Sequence, residues 1–249
     1  MCILAWKWQP SSDMPLVLIG NRDEFYDRPA LPVHWWSDYK ILAGRDLLAG
    51  GTWLGINKSG KFAALTNFRD DSKNLKYSLS RGDLVKNFLV SSQSNIDYLS
   101  DLINYCDSYN PFNLLVYDGK SLFGFESIKK EILSIAPGYG VVSNGSFNCN
   151  WPKSIKLKAL LKKSISADFD IFKCHTVLEN TDEFNVDTLP STGLPIEVEK
   201  LLSTIHINSP LYGTRAGSCI IIKKDHFLFS EKSYNKYGFS EFILQNHLF

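Results

Sequence analysis

Short apolar runs broken by turn chemistry alternate along this chain with two pairs of helix-spaced stretches. That alternation constrains the fold more than any other feature. Residues 2–9 and 16–20 are apolar runs separated by Gln9-Pro10-Ser11-Ser12-Asp13, which reads as a hairpin. Trp53–Ile56 and Phe62–Thr66 flank the turn Asn57-Lys58-Ser59-Gly60. Arg81–Val90 and Ile96–Tyr105 carry apolar residues at helical spacing, with Ser80 and Ser94 as expected N-caps. Strands follow at Asn113–Tyr117, Ser121–Glu126, Ile132–Ser134 and Gly138–Ser143, then helices at 152–163 and 169–179. Ser218–Ile222 and His226–Ser230 form a closing hairpin. Residues 25–52 read as a long ordered loop with one short strand at Ile41–Ala43, and 181–200 as a second loop. Strands, two helices, strands, two helices and strands imply an α+β fold of two packed antiparallel sheets with helices outside. No repeat or linker divides the 249 residues, so one domain over 1–249 is expected.

A net charge of +1 leaves no basic stripe for nucleic acid. The lysines at 153, 156, 158, 162 and 163 read as the solvated face of a helix whose apolar face is Ile155, Leu157, Leu160 and Leu161. Five cysteines at wide spacing, with no CxxC, argue against disulfides or a zinc site and for a reducing compartment. Lys7 and Pro10 interrupt the first apolar stretch, so it is not a signal peptide, and no run is long enough to span a bilayer. A cytoplasmic protein is the expectation.

Cys2 follows Met1 directly, and residue 2 is small enough for Met1 to be removed. Cys2 would then carry a free α-amine of pKa about 8 beside a thiol of pKa about 8.5, and one residue would be both nucleophile and base. The bland reading is a small buried apolar residue. Asn21-Arg22-Asp23-Glu24 ends the strand that pairs with the one carrying Cys2. Its bland reading is an exposed turn. The functional one has Asp23 or Glu24 holding the amine and Arg22 lowering the thiol pKa or binding a carboxylate. Asn67 and Asn144 each end a strand. Turn formation is the ordinary reason, and oxyanion stabilisation the functional one. Arg215, before the last hairpin, suits a carboxylate or carbonyl but equally a surface position. Gly55–Phe62 nearly fits a phosphate-binding loop, but Phe62 stands where Ser or Thr should bind Mg²⁺ and a strand follows instead of a helix.

Met1-Cys2-Ile3-Leu4, Asn21-Arg22-Asp23-Glu24, Gly51-Thr52-Trp53-Leu54-Gly55-Ile56, Ala64-Leu65-Thr66-Asn67, Ser143-Asn144 and Tyr212-Gly213-Thr214-Arg215 occur in this order. With these motifs the sequence resembles the NRDE family, which includes the transport and Golgi organisation protein two of animals, from Cys2 to about Glu231. The resemblance implies a four-layer αββα sandwich of the N-terminal nucleophile hydrolase type, related to cysteine amidases such as bile-salt hydrolases. By that similarity Cys2 matches the nucleophile, Asn67 and Asn144 the two amidase asparagines, and Arg215 the late arginine. Where those amidases carry an Arg followed three residues later by an Asp, this chain has Asn21 and Glu24, with Arg22 and Asp23 between.

The resemblance implies hydrolysis of a linear amide of a small or acylated substrate, with no cofactor required. It also carries a rival, since family members are linked to haem trafficking and lipid homeostasis. In that reading the protein is a non-catalytic carrier of haem or an acyl lipid, with Trp6, Trp8, Trp35, Trp36, Trp53 and Trp151 lining an apolar pocket. A purely secretion-related partner is the third reading. It leaves the polar groups around Cys2 unexplained.

Overall fold

The computed structural model describes residues 2–69, 79–165 and 169–249. Met1, whose removal the nucleophile reading requires, lies outside the described residues. One sheet has six strands in the order β10-β1-β2-β11-β12-β13: Gly138–Val142, Cys2–Trp8, Leu16–Phe25, Tyr212–Ile222, His226–Asn235 and Gly238–Leu248. The other has seven strands in sequence order: β3 Ala30–Trp36, β4 Ile41–Asp46, β5 Leu54–Asn57, β6 Phe62–Asn67, β7 Phe112–Tyr117, β8 Leu122–Glu126 and β9 Glu131–Ser134. All pairings are antiparallel.

Three apolar layers hold the sheets and helices together. Leu4, Trp6 and Trp8 of β1 meet Ile56, Phe62 and Ala64 of the seven-stranded sheet. The alternate residues Ile3 and Ala5 face α3 (Pro152–Ser164) and α4 (Ile171–Leu178). Both faces of β1 are covered, so its apolar run is nearly continuous. On the far side, α1 (Gly82–Val90) and α2 (Asn95–Ile103) cover β4–β9 through residues such as Phe88 and Leu99. The layer order is αββα, the expected sandwich. A short α5 (Ile196–Leu201) precedes β11.

Several local expectations change. The segment 25–52 holds the end of β2, the unexpected strand β3, whose Pro- and Trp-rich composition hides the alternation, and β4, which contains the strand expected at Ile41–Ala43 and runs on to Asp46. The closing hairpin is a three-stranded meander, because β13 pairs along β12 with its outer face in solvent. Residues 181–200 include a 3₁₀ turn at Val186–Thr188 and most of α5. Ser94 caps α2, accepting from the Asp97 N–H, but α1 begins after Arg81 with no side-chain cap. In α3 the solvated face is not the one expected: Lys153 is buried and donates from Nζ to the Leu202 carbonyl, while Ile155 is exposed. The near-phosphate loop is a hairpin turn closed by Gly60 at φ +77° and by Asn57, whose side chain accepts from the Ser59 and Lys61 N–H groups. Of the tryptophans, Trp6, Trp8 and Trp53 lie in the layer between the sheets with Trp35 packed against it, and Trp36 lies under the α1–α2 layer.

Two close contacts fix the end of the sandwich where the polar strand ends gather. Gly51 crosses Gly82 at the start of α1, and a Cβ on Gly51 would lie 2.5 Å from the Gly82 carbonyl carbon. Backbone meets backbone there, so neither side can yield. Gly51→Ala is expected to lower stability by about 1–3 kcal/mol through overpacking, read as the urea unfolding midpoint; an unchanged midpoint would contradict the crossing. The second contact is Glu231 of β12. It is buried, accepts the Val33 N–H of β3 at 3.0 Å, and is reached by the Ser218 hydroxyl at 3.3 Å. Burial pushes its carboxyl up to about 7, against those hydrogen bonds. The folded state therefore holds a proton that the unfolded chain releases near pH 4.5, and stability is lost as pH rises from there towards 7. Glu231→Gln keeps an acceptor for Val33 and removes the titration. Its stability relative to wild type should rise across that window by on the order of 3 kcal/mol. A difference that stays flat with pH would refute this.

Candidate active site at the end of β1 and β2

The β1–β2 register sets Cys2 opposite Arg22, and β11 sets Thr214 opposite Asp23. Cys2 is only 6% exposed, yet it opens onto a cavity of about 330 Å³. Arg22, Asp23 and Glu24 form that cavity's wall on the six-stranded side. Trp53, Leu65 and Asn67 come from the seven-stranded sheet, and Ser80, Arg81 and Gly82 from the start of α1. The site thus sits where the two sheets and one helix end meet.

Its charges are mostly paired. Asp46 of β4 takes Arg28 in a fork, Nε to Oδ2 at 2.5 Å and Nη2 to Oδ1 at 3.2 Å, and takes Arg22 Nη2 at 3.1 Å. Burial raises the Asp46 carboxyl, but hydrogen bonds from Arg28 and the Ala49 N–H outweigh it and hold it below its ordinary value. Glu24 lies 4.0 Å from Arg22 and 3.9 Å from Arg28. Asp23 is buried on the helix-facing side of β2. Its Oδ1 accepts from the Thr214 hydroxyl at 2.8 Å and its carbonyl from the Tyr212 hydroxyl. Burial raises its pKa, while Lys153, Thr214 and Arg22 pull it down. Lys153 in turn is lowered to about 8, chiefly by burial and then by Arg69. Burial pushes the Cys2 thiol up to about 11; Asp23 and Glu24 push the same way, and Arg22 opposes them.

Of the eight residues singled out in the sequence, Cys2, Arg22, Asp23, Glu24 and Asn67 line this cavity, and Asn21, Asn144 and Arg215 do not. The Asn67 carboxamide makes no hydrogen bond among the described residues. Asn144 is fully buried and donates from Nδ2 to the Asn67 carbonyl at 2.9 Å, so it braces the end of β6. Asn21 donates to the Leu178 and Ile205 carbonyls, both at 2.8 Å, and ties β2 to the α4 layer. Arg215 occupies a β-bulge between Thr214 and Ala216, which re-aims its side chain. Its Nη1 reaches the carbonyls of Phe25, Tyr26 and Arg28, and its Nε that of Tyr234. It borders a neighbouring cavity of about 150 Å³ that shares Arg22, Asp46, Thr52 and Trp53 with the first.

Arg28, Asp46 and Arg81 are site residues that the sequence reading passed over. The first two fell inside the segment read as a loop, and Arg81 was read as a helix start. Among the described residues no group of three or more His, Cys, Asp or Glu side chains could hold a metal, and all five cysteines are free. No helix among them is long and apolar enough to cross a membrane.

The Transport and Golgi organisation 2 family model matches residues 1–236. The Transport and Golgi organization protein 2 homologs of Bos taurus and Homo sapiens are 31% and 30% identical to this chain. Each alignment covers 94% of this chain and 93% of the relative. The Drosophila melanogaster protein of that name is 27% identical over 86% of this chain and 84% of its own length. Among solved structures, the C2A mutant of conjugated bile acid hydrolase from Clostridium perfringens superposes with a TM-score of 0.53 at 11% identity, covering 100% of this chain and 96% of that one. A second variant of the same hydrolase gives 0.56 at 12%, covering 100% and 97%. At such identity the likeness shows the fold, that of N-terminal nucleophile hydrolases. Motif order, full-length family match and identity to the animal homologues agree: this chain belongs to the Transport and Golgi organisation 2 family.

Proposed function

We propose that this protein is a cysteine hydrolase that cleaves the C–N bond of a small or acylated amide, with Cys2 as nucleophile once Met1 is removed. The observation that carries this reading is a shared wall: Cys2 and Asn67, whose carboxamide makes no hydrogen bond among the described residues, line one cavity.

A thiol pushed up to about 11 by burial is a poor nucleophile at neutral pH. A local base must take its proton, and the α-amine exposed on Met1 removal is attached to the same Cα. Strand register points to the carboxylate that would hold that amine. β1 and β2 run antiparallel with Cys2 opposite Arg22, so the Cys2 nitrogen, on the N-terminal side of its own Cα, lies toward Asp23, the residue after Arg22 on β2. Glu24 is instead turned toward Arg22 and Arg28. The thiolate attacks the amide carbon, a C–S bond forms, and the carbonyl oxygen takes the negative charge. The Asn67 N–H groups are neutral, directional donors to that charge. The ammonium formed at the terminus returns its proton to the leaving nitrogen as the C–N bond breaks. Water, deprotonated by the same amine, then releases the acid from the thioester.

Three measurements test this. Intact-mass analysis should show loss of Met1 and a single adduct from a thiol electrophile that maps to Cys2. A form that keeps Met1 should alkylate slowly at neutral pH and accelerate as pH nears 11. Against a panel of N-acyl aminomethylcoumarins, Cys2→Ala should abolish release of the amine, and Asn67→Ala should lower kcat by about 10²–10³-fold. Met1 retained on protein purified from cells would end the mechanism. The carrier reading makes the opposite forecast: a Soret shift on haem titration, unchanged by Cys2→Ala, with no amide cleaved.

A further inference from the structure

Three arginines line the Cys2 cavity, and one of them has no ion-pair partner among the described residues. Arg22 and Arg28 share Asp46 and stand within 4.0 Å of Glu24. Among the described residues Arg81, the residue before α1, donates one hydrogen bond, from Nη1 to the Pro111 carbonyl at 3.0 Å, and meets no carboxylate within ion-pair range. A guanidinium carries five N–H donors, so most of its capacity is unspent. Burial lowers its pKa, opposed by Cys2 once the thiol is ionised and by Glu24, and it lines the same cavity as Cys2. Gly82 and Ser80 line the cavity beside it, and the first turn of α1, whose N-terminus has no side-chain cap, adds potential of the same sign. A part-buried cation without an anion is costly, and a planar guanidinium matches a carboxylate in two parallel hydrogen bonds.

We propose that Arg81 binds a carboxylate of the substrate beside the Cys2 sulfur, so that the amide cleaved here is an anion. This rests on Cys2 being the nucleophile. The carboxylate can sit on the acyl side or on the amine side of the scissile bond, and substrates decide which.

The first test does not need amide hydrolysis. Cys2 is alkylated in parallel with iodoacetate and iodoacetamide, followed by peptide mapping to separate it from the other four cysteines. In both reactions the thiolate displaces iodide, the C–S bond forms as the C–I bond breaks, and the thiol proton goes to the amine. The ratio of the two rates therefore cancels any change in thiol pKa and reads the anion preference alone. Arg81→Gln should lower the iodoacetate-to-iodoacetamide ratio about tenfold, with Arg81→Lys in between and circular dichroism unchanged for both. A ratio unaffected by Arg81→Gln overturns the proposal, including the case where both rates fall together. Cys2 inert to both reagents overturns the nucleophile and the proposal with it.

The second test uses two matched pairs at constant chain length: N-hexanoylglycine against N-hexanoylglycinamide, and glutaryl- against valeryl-aminomethylcoumarin. One pair should favour its carboxylate member about tenfold in kcat/KM, and Arg81→Gln should remove that preference by lowering the carboxylate member more than the neutral one. Equal loss on charged and neutral members would make Arg81 an oxyanion donor and overturn the carboxylate assignment. No cleavage of any amide, with the alkylation ratio intact, would sink the amidase reading and leave Arg81 as an anion site.

Discussion

The antiparallel pairing of β1 with β2 is the constraint on which the rest of this site depends. It sets Cys2 opposite Arg22 and carries the polar tetrad along the same strand edge. A slip of one residue would turn every side chain of β1 to the other face. Leu4, Trp6 and Trp8 would leave the layer between the sheets, and Ile3 and Ala5 would leave the helix layer. Because both faces are buried, the apolar core itself holds the register, and with it the position of the sulfur.

Electrostatics divide the tetrad between the two faces of β2. Asn21 and Asp23 look toward the helices, where Asn21 is spent on two main-chain carbonyls and Asp23 on Thr214. Arg22 and Glu24 look toward the seven-stranded sheet and join Arg28 around Asp46. Contiguous residues thereby do different work: Asn21 anchors the strand beneath the sheet, while Arg22, Asp23 and Glu24 line the cavity. Arg215 then clamps the 25–28 turn by its carbonyls, so that Glu24 and Arg28 are held from behind.

Much of this was legible in the residues. Turn chemistry marked the β5–β6 hairpin, and the paired helices marked the outer layers. Cys2, Asn67 and three members of the tetrad were singled out, and they line one cavity. What was not legible has a common cause. Asn144 and Arg215 have the right side chains for a site, but a buried amide and a guanidinium serve equally well as main-chain braces, and only the packing shows which. Lys153 resembles its neighbours on α3, yet it is buried and turns inward to the Leu202 carbonyl. The strand β3 is hidden because Pro29 and Pro32 interrupt the alternation that identifies a strand, and β4 is legible only over Ile41–Ala43, before Gly44 breaks the pattern.

The sequence by itself determined the layer order, the apolar register of β1 and the thiol behind Met1, because alternation, turn residues and residue type are local properties. Only the tertiary structure decided which charges meet. Asp46, Arg28 and Arg81 come from β4, a turn and the start of α1, and nothing in their local patterns links them to Cys2. Coulomb and hydrogen-bond energies depend on distance through space, and that distance is set when the two sheets and the helix end close around the same cavity.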